Sequence, residues 1–398
     1  MTPFKILCTV GLFAVLSSTI SKNPALPLLV THLGGSQMGV GFIAGISAFT
    51  GILFSFPAGV LSDRLGRRRM LMISGLVFAT APFLYLGATQ VWHLALIRFY
   101  HGFATAIFGP VAMAVVADLY SQSRGEKMGW FSTATLLGRF SAPALGGAVL
   151  AFSAGRESLN FNALYLVCGV AGVIALGAMC VIPRPAPVPT PKAAERQSPP
   201  KGHWRRDLVE LLSNRAILLT CLVEAAILFA YGIFETFLPL RGINVGLSAW
   251  EIGVCISAQI ITIAISKPVL GGFSDRHGRP PQIIWGALLA GGCMVLLAVS
   301  FSFAALLGAS ILLGLSVAVV TSASAAHIAD LSRCGQYGSA MGMLGSIMDI
   351  GHTTGPVLGG ILAVTIGLTG AFMGGAVVLI LAGVIFMVAH GRITSNEC

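Results

Sequence analysis

The stretch of sequence that determines the fold is Gly59-Val-Leu-Ser-Asp63-Arg64-Leu-Gly66-Arg67-Arg68-Arg69. Nearly the same string recurs 212 residues further along as Gly271-Gly-Phe-Ser-Asp275-Arg276-His-Gly278-Arg279. The same offset pairs Pro27 with Pro239, Gly41 with Gly253, Gly102 with Gly314 and Asp118 with Asp330, and a slip of one residue pairs Pro143 with Pro356. So many matched positions indicate that the chain is a duplicated unit.

The composition is that of an integral membrane protein. Of 398 residues, 56% are hydrophobic and 10% are charged, whereas soluble domains carry about 25% charged residues. Most of the chain falls into apolar segments long enough to cross a hydrocarbon core of about 30 Å as helices. The net charge of +10 has a better explanation in membrane topology than in nucleic-acid binding. The eight cysteines form no CxxC pair, which predicts reduced thiols and neither a disulfide framework nor a metal site.

We predict an all-α membrane protein with twelve transmembrane helices, arranged as two six-helix pseudo-symmetric halves. The predicted helices α1 to α12 cover 5–31, 38–62, 70–89, 92–120, 127–153, 162–183, 215–241, 249–274, 282–302, 304–331, 337–365 and 369–391. The predicted domains are an N-terminal bundle at 1–183, a proline-rich linker at 184–214 and a C-terminal bundle at 215–398. Within the linker, Trp204, Leu208, Leu211 and Leu212 follow a helical period, which is typical of an amphipathic helix on the membrane surface or of a partner-docking helix.

Lysine and arginine are distributed unequally between the two membrane faces. One set of predicted loops and ends holds 18 of these cations, from Lys5 through the linker to Arg392, and the other set holds only Arg156 and Arg241. By the positive-inside rule, both termini and both Asp-Arg-Gly loops are therefore predicted to be cytoplasmic. An even number of crossings in each repeat gives the two halves the same orientation.

The loop motif between α2 and α3, with its copy after α8, resembles the signature loop of the major facilitator superfamily. Arg98 with Gly102 in α4 resembles that family's second motif. The segment Pro143-Ala-Leu-Gly146-Gly147 in α5 resembles the motif associated with drug/proton antiporters, although Ala142 stands where that pattern prefers glycine. In α11, Gly355-Pro356-Val-Leu-Gly359-Gly360 fits the pattern more closely. The resemblance implies the superfamily fold, transport by alternating access and a drug/proton antiporter branch.

The two loops suggest a cytoplasmic gate. Asp118 follows Asp63 by 55 residues and Asp330 follows Asp275 by the same number, so both close the cytoplasmic ends of α4 and α10. An arginine of each loop could pair with them, and pairs broken when the halves rock apart would form the gate. The gate candidates are Asp63, Arg64, Gly66, Arg67, Asp118, Asp275, Arg276, Gly278, Arg279 and Asp330. The small residues of α5 and α11 predict close helix packing where the halves meet; they are Pro143, Gly146, Gly147, Gly355, Pro356, Gly359 and Gly360.

Ionisable residues within predicted membrane helices are costly, by roughly 2.5–3.5 kcal/mol each, and are therefore candidates for function. The substrate and proton pathway is predicted to include Lys22, Arg98, Arg139, Glu224, Glu235, Asp349 and His352. The cations Lys22, Arg98 and Arg139 belong to the first half, whereas the three carboxylates belong to the second. The family resemblance implies that α1, α4, α7 and α10 line a central cavity, which would place Lys22, Arg98 and Glu235 on it.

Several of these groups have two interpretations. Burial disfavours an ionised carboxylate, so Glu235 and Asp349 are the candidate proton carriers. Glu224 could instead form a structural pair with Lys267, which lies at the same depth, or Lys267 could extend to the inner interface. Arg139 could satisfy backbone carbonyls freed near Pro143.

The function predicted from these features is proton-coupled export of a small organic molecule, with the cationic first half favouring anionic or zwitterionic compounds. An uptake symporter or uniporter is the alternative, since Ala142 and the absence of an acidic residue in α1 depart from the exporter pattern. A membrane scaffold or sensor is a third possibility. No Walker, HExxH or GxSxG context supports ATP-driven pumping or enzyme chemistry. We expect no cofactor, metal or nucleic-acid partner, and a monomer in a bacterial-type inner membrane with protons and a small molecule as its partners.

Overall fold

The computed structural model describes residues 2–120, 124–152, 159–182, 214–331 and 337–396, and this part of the chain contains helices and no strand. Helix α1 comprises two segments, Pro3–Lys22 and Ala25–His32. The others are α2 (Gln37–Leu65), α3 (Arg67–Leu86), α4 (Val91–Leu119), α5 (Arg124–Phe152), α6 (Phe161–Val181), α7 (Arg215–Asn244), α8 (Ala249–His277), α9 (Arg279–Val299), α10 (Phe303–Leu331) and, as one 60-residue run, α11 and α12 (Tyr337–Asn396). The predicted all-α membrane architecture is therefore confirmed.

Two interruptions shape this helical chain. At Gly367 the backbone turns to a φ of +81°, a conformation that glycine adopts without steric cost, and this residue divides α11 from α12. Asn23 and Pro24 separate the two segments of α1, so the end of the first segment, at Lys22, lies inside the protein. The predicted amphipathic helix at Trp204 to Leu212 lies outside the described residues.

The duplication is visible at the helix ends. Ser36 caps α2 by accepting a hydrogen bond from the backbone of Gly39, and Ser248 begins α8 with a capping box shared with Glu251. Both helices end at a glycine with positive φ, namely Gly66 at +94° and Gly278 at +90°. These paired signals explain why the predicted and observed boundaries of α2 and α8 differ by only a few residues.

Helices α5 and α8 pack backbone against backbone, joining the two halves. A Cβ atom added at Gly147 would clash with the carbonyl oxygen of Ala249, and one at Gly253 would clash with the carbonyl oxygen of Pro143. Glycine permits this approach because it presents only hydrogen at that position. The backbone N–H of Ala144 also donates to the Ser257 hydroxyl across the interface, at 3.1 Å.

The equivalent interface lies between α2 and α11. A Cβ atom at Gly41 would clash with the carbonyl oxygen of Pro356, and one at Gly360 would lie 3.0 Å from the carbonyl oxygen of Gln37. Gly41 and Pro356 match Gly253 and Pro143 in the repeat. Both interfaces lie at the end of the molecule opposite the Asp-Arg-Gly loops, so the halves meet closely at that end.

The hydrophobic core also differs between the loop end of the molecule and the opposite end. One continuous buried cluster includes residues of both halves, among them Ile20, Leu94 and Phe234. Its first-half members lie at the end opposite the loops, whereas in the second half it extends toward the loop end, as far as Ile283 and Phe386. At the end that carries the loops, a cluster around Phe78 belongs only to the first half, and another around Ile217 belongs only to the second. The halves are thus joined at one end and have separate cores at the other.

Candidate functional site

The carboxylate of Glu235 lies at the centre of a polar cluster between the two halves. Its Oε2 accepts from Lys22 Nζ at 2.5 Å and lies 3.2 Å from His352 Nε2, while Oε1 accepts from the amide of Asn23 at 2.5 Å. Glu235 is 7% exposed and Asn23 is 1% exposed, so these contacts form away from bulk water. Two residues of α1 and one of α11 therefore hold one acid of α7.

The break in α1 explains how the first half reaches Glu235. The helix ends at Lys22, and the backbone of Asn23 is extended with ψ of 128°. Side chains of consecutive residues point in different directions on a continuous helix. Here the chain leaves the helix between them, and both Lys22 and Asn23 bond the same carboxylate.

A cavity of about 460 Å³ lies beside this cluster, between α5 of the first half and α7 and α8 of the second. Its polar side chains are Arg139, Tyr231 and Lys267, and the rest of its wall is aliphatic. The ring of Tyr231 lies 5.6 Å from that of His352, which links the cavity wall to the Glu235 cluster. The cavity begins where the tight contact between α5 and α8 ends, on the side toward the loops.

Lys22, Arg98 and Glu235 were predicted on the central cavity, and the structure places them at two locations. Lys22 and Glu235 pair with each other across the halves, next to that cavity. Arg98 is 2% exposed and lies inside the first half, near Tyr85 and Tyr165. Arg98 is on the face of α4 that meets Tyr85 of α3 and Tyr165 of α6.

The suggested pairing of Glu224 with Lys267 is also not made. Glu224 is completely buried, and neither carboxylate oxygen has a hydrogen-bond partner among the described residues. Lys267 is exposed on α8 and lines the cavity, because its position on that helix faces α5. Asp349 is exposed one helical turn before His352, and within the described part of the chain no ion pair to its carboxylate is found.

The predicted gate residues form two matching clusters near the loops. Arg67 Nε lies 3.1 Å from Asp118 Oδ2, and its Nη1 donates to Ser62 at 2.7 Å. In the second half, Arg279 lies at the same 3.1 Å from Asp330 and 2.6 Å from Ser274, and it also pairs with Asp275. The side chains of Asp63 and Arg64 lie outside the described residues, and Arg276 is exposed.

These pairs correct one step of the gate hypothesis. Arg67 and Asp118 both belong to the first half, and Arg279 and Asp330 both belong to the second. Each pair fastens a loop to the end of a helix within its own half. Separation of the halves therefore does not by itself break them, and a role in gating stays a prediction.

The packing residues are placed at two kinds of contact. Gly147, Pro143, Pro356 and Gly360 join the halves, as described above. Gly355 and Gly359 instead pack α11 against α7 within the second half, and Gly146 packs α5 against α1 near Asn23. These last three residues thus position the helices that carry Asn23, Glu235 and His352.

Sequence reasoning missed Asn23 and Tyr231. Neither is ionised at neutral pH, and the search for costly charges in the membrane therefore passed over them. The repeat could have identified Asn23, because Asn23 and Glu235 are separated by the same 212 residues as the two loop motifs and so occupy equivalent positions. Tyr231 lies one helical turn before Glu235 on α7 and so shares its face.

Two six-helix halves of one orientation, with a polar cluster and a cavity between them, define a membrane transporter of the secondary type. The chain belongs to the Major Facilitator Superfamily: the family model matches residues 7–254 and again 220–395. Two overlapping matches along one chain agree with the internal repeat. The protein is thus a transporter and not an enzyme.

Relatives and a solved structure show the range of this similarity. An uncharacterized MFS-type transporter of Methanocaldococcus jannaschii is 24% identical over 364 residues, covering 91% of this chain and 92% of that protein. Multidrug resistance protein MdtG of Escherichia fergusonii is 27% identical over 387 residues, covering 92% and 90%. A bacterial homolog of the human lysosomal transporter Spinster, in an inward-facing and occupied conformation, superposes with a TM-score of 0.78 at 15% identity, covering 97% and 96%.

Proposed function

We propose that this transporter exports small organic molecules in exchange for protons, across a bacterial-type inner membrane with both termini cytoplasmic. The observation that carries the proposal is the Glu235 cluster. It places a single buried carboxylate between the halves, next to a cavity large enough for a small organic molecule.

Proton binding at Glu235 would change how the halves are connected. The ionised carboxylate accepts from Lys22 and Asn23 of the first half, and a charge-assisted bond of this kind is stronger than a neutral one. A proton on Glu235 removes the attraction to Lys22 and one acceptor site. The link between the halves then weakens, which couples the protonation state to their relative movement.

The cavity wall supports an anionic or zwitterionic substrate. Arg139 and Lys267 provide two positive charges, Tyr231 provides a hydroxyl group, and aliphatic side chains from α5 and α8 provide an apolar surface. An acidic group on the substrate would interact with the two cations, while its apolar part would contact the aliphatic wall. A simple lipophilic cation finds no carboxylate on this wall among the described residues.

The conformation and the relatives support the proposed direction. The halves are joined at the end opposite the loops, and the cationic loops are expected on the cytoplasmic side. A cavity that is closed from outside and adjacent to the loop face can receive a substrate from the cytoplasm. The relative named a multidrug resistance protein also supports export.

The test is proton release when a compound binds the purified protein in weakly buffered detergent solution, followed with a soluble pH dye. The compounds are carboxyfluorescein as an anion, ciprofloxacin as a zwitterion and ethidium as a cation. Antiport requires that substrate and proton occupy the protein in alternation, so the proposed exporter should release its proton when one of the first two compounds binds. Release should disappear in Glu235→Gln and, if Asp349 shares the proton, decrease in Asp349→Asn.

Glu251→Gln is the matched control, since Glu251 is a capping residue on the surface of α8 and should leave proton release unchanged. Undiminished release in Glu235→Gln would contradict the assignment of the proton to this residue. Binding without any proton release in the wild type would favour the uniporter instead.

A further inference from the structure

The guanidinium group of Arg98 is buried without a counter-ion. Arg98 is 2% exposed, its Nε has no hydrogen-bond partner, and no described carboxylate forms an ion pair with it. The first half has four acidic residues. Asp63, Asp118 and Glu126 lie at helix ends near the loops, and Glu157 lies outside the described residues. A buried charge that lacks a partner is strongly unfavourable, so another group must compensate it.

The polar side chains around Arg98 have few partners other than Arg98 itself. The hydroxyl group of Tyr165 and both ring nitrogens of His101 are buried and have no partner among the described residues. The hydroxyl group of Tyr85 is also buried and lies against the Arg98 guanidinium group. The two tyrosine rings stack at 4.4 Å with an angle of 8°, and the ring of His101 lies 6.4 Å from that of Tyr85. Arg98 acts electrostatically on all three residues, so the four side chains form one group.

The four side chains of this group mainly offer hydrogen-bond donors. A guanidinium group offers five N–H donors and no acceptor, each tyrosine hydroxyl can donate one hydrogen bond, and a neutral histidine can donate one. Water could satisfy some of these donors, but it cannot neutralise the charge of Arg98. An anion that accepts hydrogen bonds would both satisfy these donors and neutralise the charge of Arg98.

A second cavity leads toward this group from the end opposite the loops. It has a volume of about 370 Å³, and its wall includes the rings of Tyr85 and Tyr165 together with His32, Asn160 and Asn162. Arg98 lies only seven residues from the start of α4 at that same end. The tyrosine pair thus stands between an accessible polar cavity and a buried cation.

We propose that Arg98, Tyr85, Tyr165 and His101 form a binding site for a small monovalent anion inside the first half. The anion is either a halide ion or the carboxylate group of a small organic acid, since both carry one negative charge and accept several hydrogen bonds. The site is separate from the central cavity and does not depend on proton-coupled export.

The test is binding of radioactive chloride to the purified full-length protein in a scintillation proximity assay. The buffer is HEPES adjusted with Tris and contains neither halide nor carboxylate, and acetate or bromide is added as a competitor. We expect saturable chloride binding in the wild type. Displacement by bromide alone identifies a halide site, whereas displacement by acetate at equal or lower concentration identifies a carboxylate site.

Variants separate this site from the central cavity. Arg98→Gln should weaken binding at least tenfold, because it removes the only charge of the group. Arg139→Gln, which removes an arginine of the central cavity, should bind as the wild type does. If Arg98→Gln fails to fold, Tyr165→Phe removes one hydroxyl group with little change of shape and should weaken binding several-fold.

Absence of chloride and acetate binding in the wild type would overturn the proposal, because it would leave water as the only occupant. Unchanged binding in both Arg98→Gln and Tyr165→Phe would also overturn it. Loss of binding only in Arg139→Gln would place the anion in the central cavity and contradict the site inside the first half.

Discussion

Asn23 and Glu235 occupy matching positions of the repeat and form a hydrogen bond with each other. A residue near a pseudo-twofold axis approaches its own counterpart. Two carboxylates at such positions would repel each other, whereas an amide and a carboxylate form a donor and acceptor pair. The two halves therefore differ at the point where they meet most directly, and this difference gives the site one acid.

Lys22 and Glu235 should stabilise the protein as a pair. Removing one partner of a buried pair leaves the other charge uncompensated, which costs about 3 kcal/mol. We expect Lys22→Gln and Glu235→Gln each to lower the melting temperature in detergent, and the double variant to melt above both. The measurement is thermal unfolding of the three variants beside the wild type.

The exposed pair of Lys127 and Glu126 provides the control, since its two neutralising variants should each change stability by no more than about 1 kcal/mol. Losses at Lys22 and Glu235 that simply add in the double variant would show that the two residues are not coupled.

At this scale the sequence predicts buried polar residues better than it predicts their contacts. The cost of a charge in the membrane directs attention to Lys22, Glu235 and His352, and the structure brings these three side chains together. Glu224 and Lys267 were expected to form a contact because they lie at the same depth in the membrane, but this contact does not form. Two residues at the same depth can point in different directions around their helix axes. Neutral partners such as Asn23 carry no comparable signal.

The helices that join the halves do so through glycine. On α5, Gly147 lies in contact with the backbone of α8, whereas Gly129 of the same helix has no atom within 4 Å of its Cβ position. These two positions allow the same substitution to be tested with and without a neighbour. They separate the effect of helix packing from the effect of helix propensity.

Gly147→Val should force α5 and α8 apart, because the new side chain meets a backbone carbonyl that cannot rotate away. We expect the distance between spin labels at Phe152 and Trp250 to increase by several ångströms, measured by pulsed electron paramagnetic resonance. Gly129→Val should leave that distance unchanged, and an equal change in both variants would contradict the packing argument.

Helix boundaries could be predicted from the sequence because they depend on local signals. Charged residues, glycines and serine caps at 36, 66, 248 and 278 mark them directly. The angle at which helices cross depends on contacts between distant residues, and it decides which side chains face a cavity. That is why Arg98 was predicted on the central cavity and is found within the first half.

For the whole molecule, the observed conformation is described by how the core is divided between the two ends. One apolar cluster joins the halves at the end opposite the loops, and separate clusters fill each half at the loop end. The duplication made the fold predictable at this scale, since two matched halves of even helix number have few possible arrangements. The relative position of the halves could not be predicted, because the same contacts allow more than one.

The orientation in the membrane is predicted from the cation distribution and can be tested with two cysteine variants in a cysteine-free background. His277→Cys lies at the loop end of α8, and Thr89→Cys lies between α3 and α4 at the opposite end; both positions are exposed. We expect a membrane-impermeant maleimide to label His277→Cys only in inside-out vesicles and Thr89→Cys only in right-side-out vesicles. The reverse pattern would mean that the loops face outward.

The ion pair between Lys22 and Glu235 also has an electrical consequence. As long as both residues are ionised, the pair is neutral as a whole, and a rearrangement of the protein around it moves little net charge through the membrane field. A proton on Glu235 leaves the charge of Lys22 unbalanced, and one elementary charge is worth about 2.3 kcal/mol per 100 mV across the full membrane. The same residue that would bind the proton would thereby make one half of the transport cycle sensitive to membrane voltage and leave the other half nearly insensitive to it.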